Sequence, residues 1–114
     1  MDISFKSTKL EKEFNEGKCL EKVHGSLRAK KIRIRLAELR AASTLNDFWP
    51  PKTGPERCHE LTGSRKSQLS VDLDHPYRLI FTPNHNPIPC KHDGGLDWKQ
   101  ITAILILGIE DTHE

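Results

Sequence analysis

The sequence predicts an α+β domain in which an N-terminal strand and a helical hairpin pack on a small antiparallel sheet. Up to about residue 42, apolar residues recur three and four positions apart, which is the period of an amphipathic helix. From Arg57 onward they alternate with polar residues, which is the period of a strand. The 114 residues suffice for one hydrophobic core, so we expect a single domain over residues 1–114.

The first half of the chain carries the helical signals. Residues 3–6 alternate apolar and polar side chains, which predicts a short first strand. Thr8 and the acid three positions after it have the spacing of a capping box, so a first helix is expected to begin there and to end at Gly17. Ser26 is the second candidate N-cap. After it, the apolar positions of one face of a long helix are Ala29, Ile32, Leu36 and Leu39.

The second half carries the strand signals. Residues 48–55 include three prolines and a glycine, which exclude a regular element there. Four later segments are expected to be strands, and they span residues 57–63, 68–73, 77–82 and 101–109. The last of these is apolar on both faces, which predicts a central position in the sheet. Residues 84–97 are expected to form a long loop.

The composition predicts a folded domain that functions in water. Of all residues 35% are hydrophobic and 30% are charged, and the longest apolar run, 101–109, is too short to span a bilayer. The first residues lack the apolar segment of a signal peptide. Three cysteines without framework spacing favour a reducing compartment. We therefore expect a cytoplasmic protein with no membrane partner.

Positive charge is concentrated in the second predicted helix. Between Arg28 and Arg40 lie six basic residues and one acid, although the net charge of the whole chain is only +2. Such a stripe suits a polyanionic partner, and Arg33 and Arg35 are its candidate RNA contacts. An ordinary solvated helix face would have the same pattern.

Two histidines and an arginine have the residue types needed to cleave RNA without a metal. Cleavage needs a base for the 2′-hydroxyl, an acid for the leaving oxygen and cations for the phosphate charge. His59 and His113 suit the proton transfers, and Arg78 suits the phosphate. Asp111 is expected to orient His113. In the alternative interpretation His113 is a frayed tail, His59 is structural, and Arg78 pairs with an aspartate across a hairpin.

Two other patterns are weaker. Cys58-His59 together with Cys90 and His92 suggests zinc, but these spacings are not those of zinc fingers or ribbons, so we expect no metal. Trp49 and Trp98 lie beside prolines and glycines, where packing or interface anchors are more common than base-stacking platforms.

Three motifs follow one another along the chain: Arg57-Cys-His59-Glu-Leu61-Thr-Gly63, Tyr77-Arg78-Leu-Ile-Phe81 and Glu110-Asp111-Thr112-His113. In this combination the chain resembles the RelE/ParE superfamily of bacterial toxins, and within it the HigB branch, whose domains are similar to microbial ribonucleases. The resemblance covers nearly the whole chain apart from the 84–97 loop. There, Gly94-Gly95-Leu96-Asp97-Trp98 looks like the longer HigB-type members.

The resemblance implies a toxin of a type II toxin–antitoxin system that cleaves messenger RNA on the ribosome and needs no cofactor. It implies neutralisation by a helix-turn-helix antitoxin of the HigA type, through which alone operator DNA would be bound. By position, four residues match the functional residues of the family, and they are His59, Arg78, Asp111 and His113.

The chain departs from the family pattern at two positions. Thr62 stands where a lysine is favoured before the glycine, and Thr112 stands where a tyrosine is favoured before the last histidine. Arg65 or Lys66, just past the turn, is expected to supply the missing cation for RNA. Arg57, in the first motif, is a further expected RNA contact.

Two rival functions are considered beside the ribonuclease. One is a ParE-like toxin that binds gyrase, and the other is a non-catalytic module that binds RNA or the ribosome through the basic stripe. The pair of His59 and His113 favours the nuclease, because a binding module needs no histidine at the end of a strand.

Overall fold

The helices and strands of the computed structural model, which describes residues 1–111, form an α+β fold, as predicted. The five strands are β1 (Asp2–Phe5), β2 (His59–Glu60), β3 (Leu69–Asp72), β4 (Tyr77–Pro83) and β5 (Ala103–Asp111). The helices are α1 (Thr8–Asn15) and α2 (Gly17–Ala41), with short 3-10 helices at Leu45–Phe48 and Trp98–Gln100. Within residues 1–111, no helix has the length and hydrophobicity that a membrane crossing requires.

The five strands form one sheet in the order β1-β5-β4-β3-β2. The strand β5 lies between β1 and β4, so the prediction that the last strand is central is confirmed. The sheet is mixed, however, whereas an antiparallel sheet was predicted. The strand β1 pairs with β5 in parallel, with Ile3 opposite Ile104, while the other neighbours are antiparallel. Alternation within a strand reveals its buried face but carries no information about the direction of its neighbour.

The helix boundaries differ from the predicted ones in two places. The hydroxyl of Ser7, not of Thr8, accepts the hydrogen bond from the backbone N–H of Leu10 at 3.1 Å, so α1 begins one residue earlier than expected. Gly17 begins α2 instead of ending a helix before a loop. The long helix is broken at Gly25, which has φ 80° and ψ 163°. The break directly precedes Ser26, the predicted cap, and only glycine adopts this conformation without strain.

The predicted apolar face of the long helix forms the centre of the core. Ala29, Ile32, Leu36 and Leu39 are at most 3% exposed. They belong to one cluster with the inward side chains of the sheet, which include Leu69, Val71, Leu79 and Phe81. Directly opposed residues of antiparallel strands share a face of the sheet. Asp72, Arg78 and Glu110 are opposed in this way, and by alternation they lie on the face away from that cluster.

Arg35 is buried, with only 5% of its surface exposed, although it belongs to the basic stripe. Its guanidinium donates to the carbonyl oxygens of Asp72 at 2.7 Å and Pro55 at 3.1 Å, and to the Glu38 carboxylate at 3.0 Å. The prediction that Arg35 contacts RNA does not fit this position, because all three contacts are internal. A charged residue within a basic stripe was expected to face solvent. This arginine instead joins α2 to the end of β3 and to the proline-rich loop.

We expect Arg35→Met to lower the free energy of unfolding by about 3 kcal/mol, because two carbonyl oxygens and a carboxylate lose their charged donor. Arg33 provides the matched control. Its side chain is 46% exposed and pairs with Glu21 at 2.9 Å, so Arg33→Met should change the free energy by less than about 0.5 kcal/mol. Urea denaturation of both variants measures the difference, and equal midpoints would contradict the structural role of Arg35.

Candidate functional site

A cleft of about 570 Å³ opens beside β2 and the start of β4, and we call it the histidine cleft. Its lining residues come from the proline-rich loop, from β2 and the turn after it, and from β4, and they are Pro51, Lys52, Arg57, His59, Glu60, Leu61, Thr62, Arg65 and Arg78. Four of the predicted site residues therefore meet in one place, although they are spread over more than twenty positions of the sequence. These four are Arg57, His59, Arg65 and Arg78.

The contacts of His59 fix its tautomer and its charge. Its Nδ1 lies 3.1 Å from the carbonyl oxygen of Arg57. A carbonyl oxygen only accepts, so Nδ1 carries the proton and the neutral ring presents a basic Nε2. Burial lowers the pKa of His59 below its usual 6.5, and the positive charges of Lys52 and Arg78 lower it further. The neutral form of His59 is therefore the predominant one at pH 7.

Asp72 lies between two of the arginines. One carboxylate oxygen is 3.2 Å from Arg78 Nε, and the other is 3.5 Å from Arg57 Nε. Within residues 1–111 the oxygen facing Arg78 receives no hydrogen bond. Pairing of Arg78 with an aspartate across the hairpin, one of the two interpretations of this residue, is thus observed. Because the contact lacks directional bonds, it opposes a turn of the guanidinium toward a phosphate only weakly.

Arg65 is held at the edge of the cleft. Its two terminal nitrogens donate to the two Glu110 oxygens at 2.8 and 2.7 Å, and its Nε donates to Gln68 at 2.9 Å. Of the two cations proposed to replace the lysine missing at Thr62, Arg65 lines the histidine cleft. Lys66 is exposed and is not among the lining residues.

Lys52 is a cation of the site that the sequence did not reveal. It has φ 65°, and its backbone N–H donates to the carbonyl oxygen of Cys58 at 3.1 Å. This bond folds the proline-rich loop back toward β2 and brings the lysine beside His59. The available signal was a single lysine in a turn-forming segment, Pro50 to Pro55, directly before the histidine motif. With Lys52, the lining residues comprise four cations and one carboxylate, Glu60.

The remaining predicted residues lie at the end of β5 or beyond it. Asp111 is the last residue of β5 and is opposite Tyr77 in the sheet. Thr112 and His113 lie outside the described residues, so the roles of His113 as a proton donor and of Asp111 as its orienting group stay predictions. The register places Asp111 next to Glu110, which is opposite Arg78.

Among residues 1–111, no group of three or more histidine, cysteine or acidic side chains is arranged to hold a metal ion. Cys58, the nearest thiol to His59 in sequence, is buried. Burial and the neighbouring Glu56 and Glu60 raise the pKa of the Cys58 thiol to about 12. The thiol therefore stays protonated at neutral pH and is a poor metal ligand or nucleophile.

The chain was compared with known proteins and structures. No protein-family model matches it, and no curated protein sequence is similar to it. A chain of the YoeB–YefM complex from Staphylococcus aureus matches in structure, with a TM-score of 0.53 and 16% sequence identity. The two chains share a fold. The match covers 100% of this chain and 98% of that one, so it includes both helices and the whole sheet.

Proposed function

We propose that the protein is the toxin of a type II toxin–antitoxin system and that it cleaves messenger RNA without a metal. The observation that carries this proposal is the neutral His59, with its basic Nε2, in a cleft whose lining includes Lys52 and three arginines. A base beside several fixed cations suits a phosphodiester, because the charge that develops on phosphorus is delocalised over oxygens that arginine and lysine bind.

The cleavage would proceed by transfer within the RNA. His59 accepts the proton of a 2′-hydroxyl, and the resulting 2′-oxygen attacks the adjacent phosphorus. Arg78, with Lys52 and Arg57, stabilises the negative charge on the phosphoryl oxygens. The bond to the 5′-oxygen breaks, and a protonated His113 supplies the proton to that leaving oxygen. The products are a 2′,3′-cyclic phosphate and a free 5′-hydroxyl.

The structural similarity supports an antitoxin partner. YoeB is a toxin of the RelE superfamily, and the similar chain comes from a YoeB–YefM complex. We propose that this protein is likewise neutralised by a partner, which from the HigB-like motifs would be a helix-turn-helix antitoxin of the HigA type. Operator DNA would be bound only through that antitoxin, and the complex would act in the cytoplasm.

We also propose that the ribosome presents the substrate. Thr62 stands where the family pattern favours a lysine, and Arg65 is already bound to Glu110. The cleft therefore has a reduced capacity to hold free RNA. Docking on ribosomal RNA through exposed basic residues of α2, of which Arg33 is one, would place the message in a fixed geometry. Orientation of this kind lowers a barrier by up to roughly 7–11 kcal/mol.

The test is to incubate one message with the purified protein in the presence and absence of translating 70S ribosomes and to map the RNA ends. We expect cleavage only with ribosomes, and we expect 5′-hydroxyl ends on the products. Equal cutting in both tubes would indicate a free-standing ribonuclease. Growth inhibition with gyrase trapped and RNA intact would instead indicate the ParE-like alternative, and ribosome binding without cleavage would indicate a non-catalytic module.

A further inference from the structure

A second concave surface, of about 610 Å³, lies beside the histidine cleft, and we call it the tryptophan groove. Its walls combine two indole rings, two lysines, an aspartate, an amide and a leucine, from Trp49, Trp98, Lys91, Lys99, Asp97, Asn46 and Leu96. The mechanism described above uses none of these residues. The combination of a flat aromatic surface with cations is that of a site for a nucleotide.

The two tryptophans have different environments. Trp98 is 3% exposed, and its Nε1 donates to the Glu60 carboxylate at 3.1 Å. Trp49 is 50% exposed and meets Trp98 edge to face, with ring centroids 5.2 Å apart and an interplanar angle of 89°. Trp98 is therefore a packing residue, as expected from the sequence. Trp49 rests on that buried ring and presents a large part of its indole to solvent.

The charges around Trp49 favour an anionic ligand. The Lys91 ammonium lies 5.7 Å from the centre of the Trp49 ring, and Lys99 lines the same groove. The acid Asp97 is engaged locally, because one oxygen accepts from the Lys99 backbone N–H at 3.3 Å and the other from the Gln100 amide at 2.7 Å. The groove thus offers two ammonium groups and an aromatic face, which suits a base with its phosphate better than an apolar peptide.

The tryptophan groove is continuous with the histidine cleft. Glu60 lines the cleft and also holds Trp98. Pro51 and Lys52, which line the cleft, lie two and three positions after Trp49 in sequence, and three residues span at most about 11 Å. An RNA strand with one phosphate beside His59 therefore reaches Trp49 within a few nucleotides.

We propose that the tryptophan groove binds an unpaired nucleotide that flanks the cleavage position, with its base stacked on Trp49 and its phosphates beside Lys91 and Lys99. This inference rests on the proposed function in taking RNA as the ligand of the cleft. It adds a requirement for single-stranded RNA, because a base inside a duplex has no free face to stack on a side chain.

The test measures binding instead of cleavage, with short 2′-O-methyl RNA oligonucleotides that lack the nucleophilic hydroxyl. The chain has two tryptophans, and Trp98 is buried, so stacking on Trp49 should quench the solvent-exposed part of the indole fluorescence. In anisotropy titrations with labelled RNA, Trp49→Ala should weaken binding about 5- to 150-fold, and Trp49→Phe should retain most of it. Lys91→Ala and Lys99→Ala should each reduce the salt dependence of binding by about 0.7 of a log unit per log unit of salt.

An abasic site moved along the oligonucleotide provides the decisive control. At the stacked position it should weaken wild-type binding by the same factor as Trp49→Ala, and the two changes together should cost no more than either alone. Leu27→Ala, which removes an exposed apolar side chain that lines neither surface, should leave binding unchanged.

Several outcomes would overturn the inference. One is an indole fluorescence signal that stays constant up to millimolar oligonucleotide. Another is a Trp49→Ala variant that binds RNA as tightly as the wild type. The last is a Trp49→Ala variant that binds RNA normally but no longer binds a co-expressed antitoxin. In that last case the groove would be a protein interface. The cleavage assay with ribosomes separates the two proposals. RNA cleavage together with RNA binding that does not depend on Trp49 would support the nuclease function and contradict nucleotide binding in the tryptophan groove. Trp49-dependent binding without cleavage would support nucleotide binding in the groove and contradict the nuclease function.

Discussion

Replacement of His59 by alanine is expected to lower the rate of ribosome-dependent cleavage by about 10²- to 10⁴-fold, which is the contribution typical of a general base. The loss should appear in the cleavage step and not in ribosome binding, since His59 lies in the cleft and not on the exposed face of α2. The fold should persist, because His59 is only partly buried and, among residues 1–111, its side chain makes one hydrogen bond, to the carbonyl oxygen of Arg57. Single-turnover cleavage of a ribosome-bound message measures the effect.

The matched control is His75→Ala, which removes an exposed histidine from the turn before β4. It should cleave at the wild-type rate. A His59→Ala variant with wild-type cleavage and a normal unfolding transition would remove His59 from the mechanism.

The lowered pKa of His59 gives the same prediction a pH dependence. Because the neutral ring is the base, the acidic limb of the activity profile, where His59 becomes protonated, should lie below about 6.5, the ordinary histidine value. Lys52→Met removes a positive charge that lowers this pKa, so the acidic limb of the profile should move to higher pH. His59 also makes the stability of the fold depend on pH, because folding favours its neutral form. Its contribution to the free energy of unfolding is present at neutral pH and is lost as the pH falls through the pKa of His59 in the folded protein.

Replacement of Arg78 by alanine is expected to slow cleavage by about 10²- to 10³-fold, the usual effect of removing one donor to a developing negative charge. Arg78→Lys should recover part of the rate, because it keeps the charge but loses the planar fork that matches two phosphate oxygens. The free energy of unfolding should change by less than about 1 kcal/mol, since the contact with Asp72 is partly exposed and lacks hydrogen-bond geometry.

Lys9→Ala provides the comparison for Arg78, because this exposed lysine lies on α1, outside the histidine cleft and outside the basic stripe of α2. It should leave the single-turnover rate unchanged. Arg78→Ala with an unaltered rate, or with a loss explained entirely by unfolding, would show that Arg78 is a surface ion pair and no more.

The sequence predicted those features that depend on local spacing. The buried face from Ala29 to Leu39, the strands around Val71 and Leu79, and the central β5 all follow from apolar periodicity. The gathering of His59 with Arg57, Arg65 and Arg78 was expected from the family motifs, since periodicity places a side chain on a face without specifying its neighbours.

The features that were missed depend on contacts between distant segments. Arg35 was assigned to solvent because a charged residue is seldom buried, and its partners, the carbonyl oxygens of Asp72 and Pro55, carry no mark in the sequence. Lys52 enters the site through a backbone bond to Cys58, which any residue type could make. The parallel direction of β1 beside β5 is likewise a tertiary property.

The position of β5 between β1 and β4 affects the order in which the chain can fold. Neighbours β3, β4 and β5 are joined through short sequence separations or a single loop, so they can associate early and build most of the sheet. The partners Ile3 and Ile104 are about one hundred positions apart, and their meeting closes the largest loop in the molecule. We therefore expect β1 to dock late and to open first, so the amide hydrogens of Asp2 and Lys6, which donate to the carbonyl oxygens of Thr102 and Ile106, should exchange faster than those of β4.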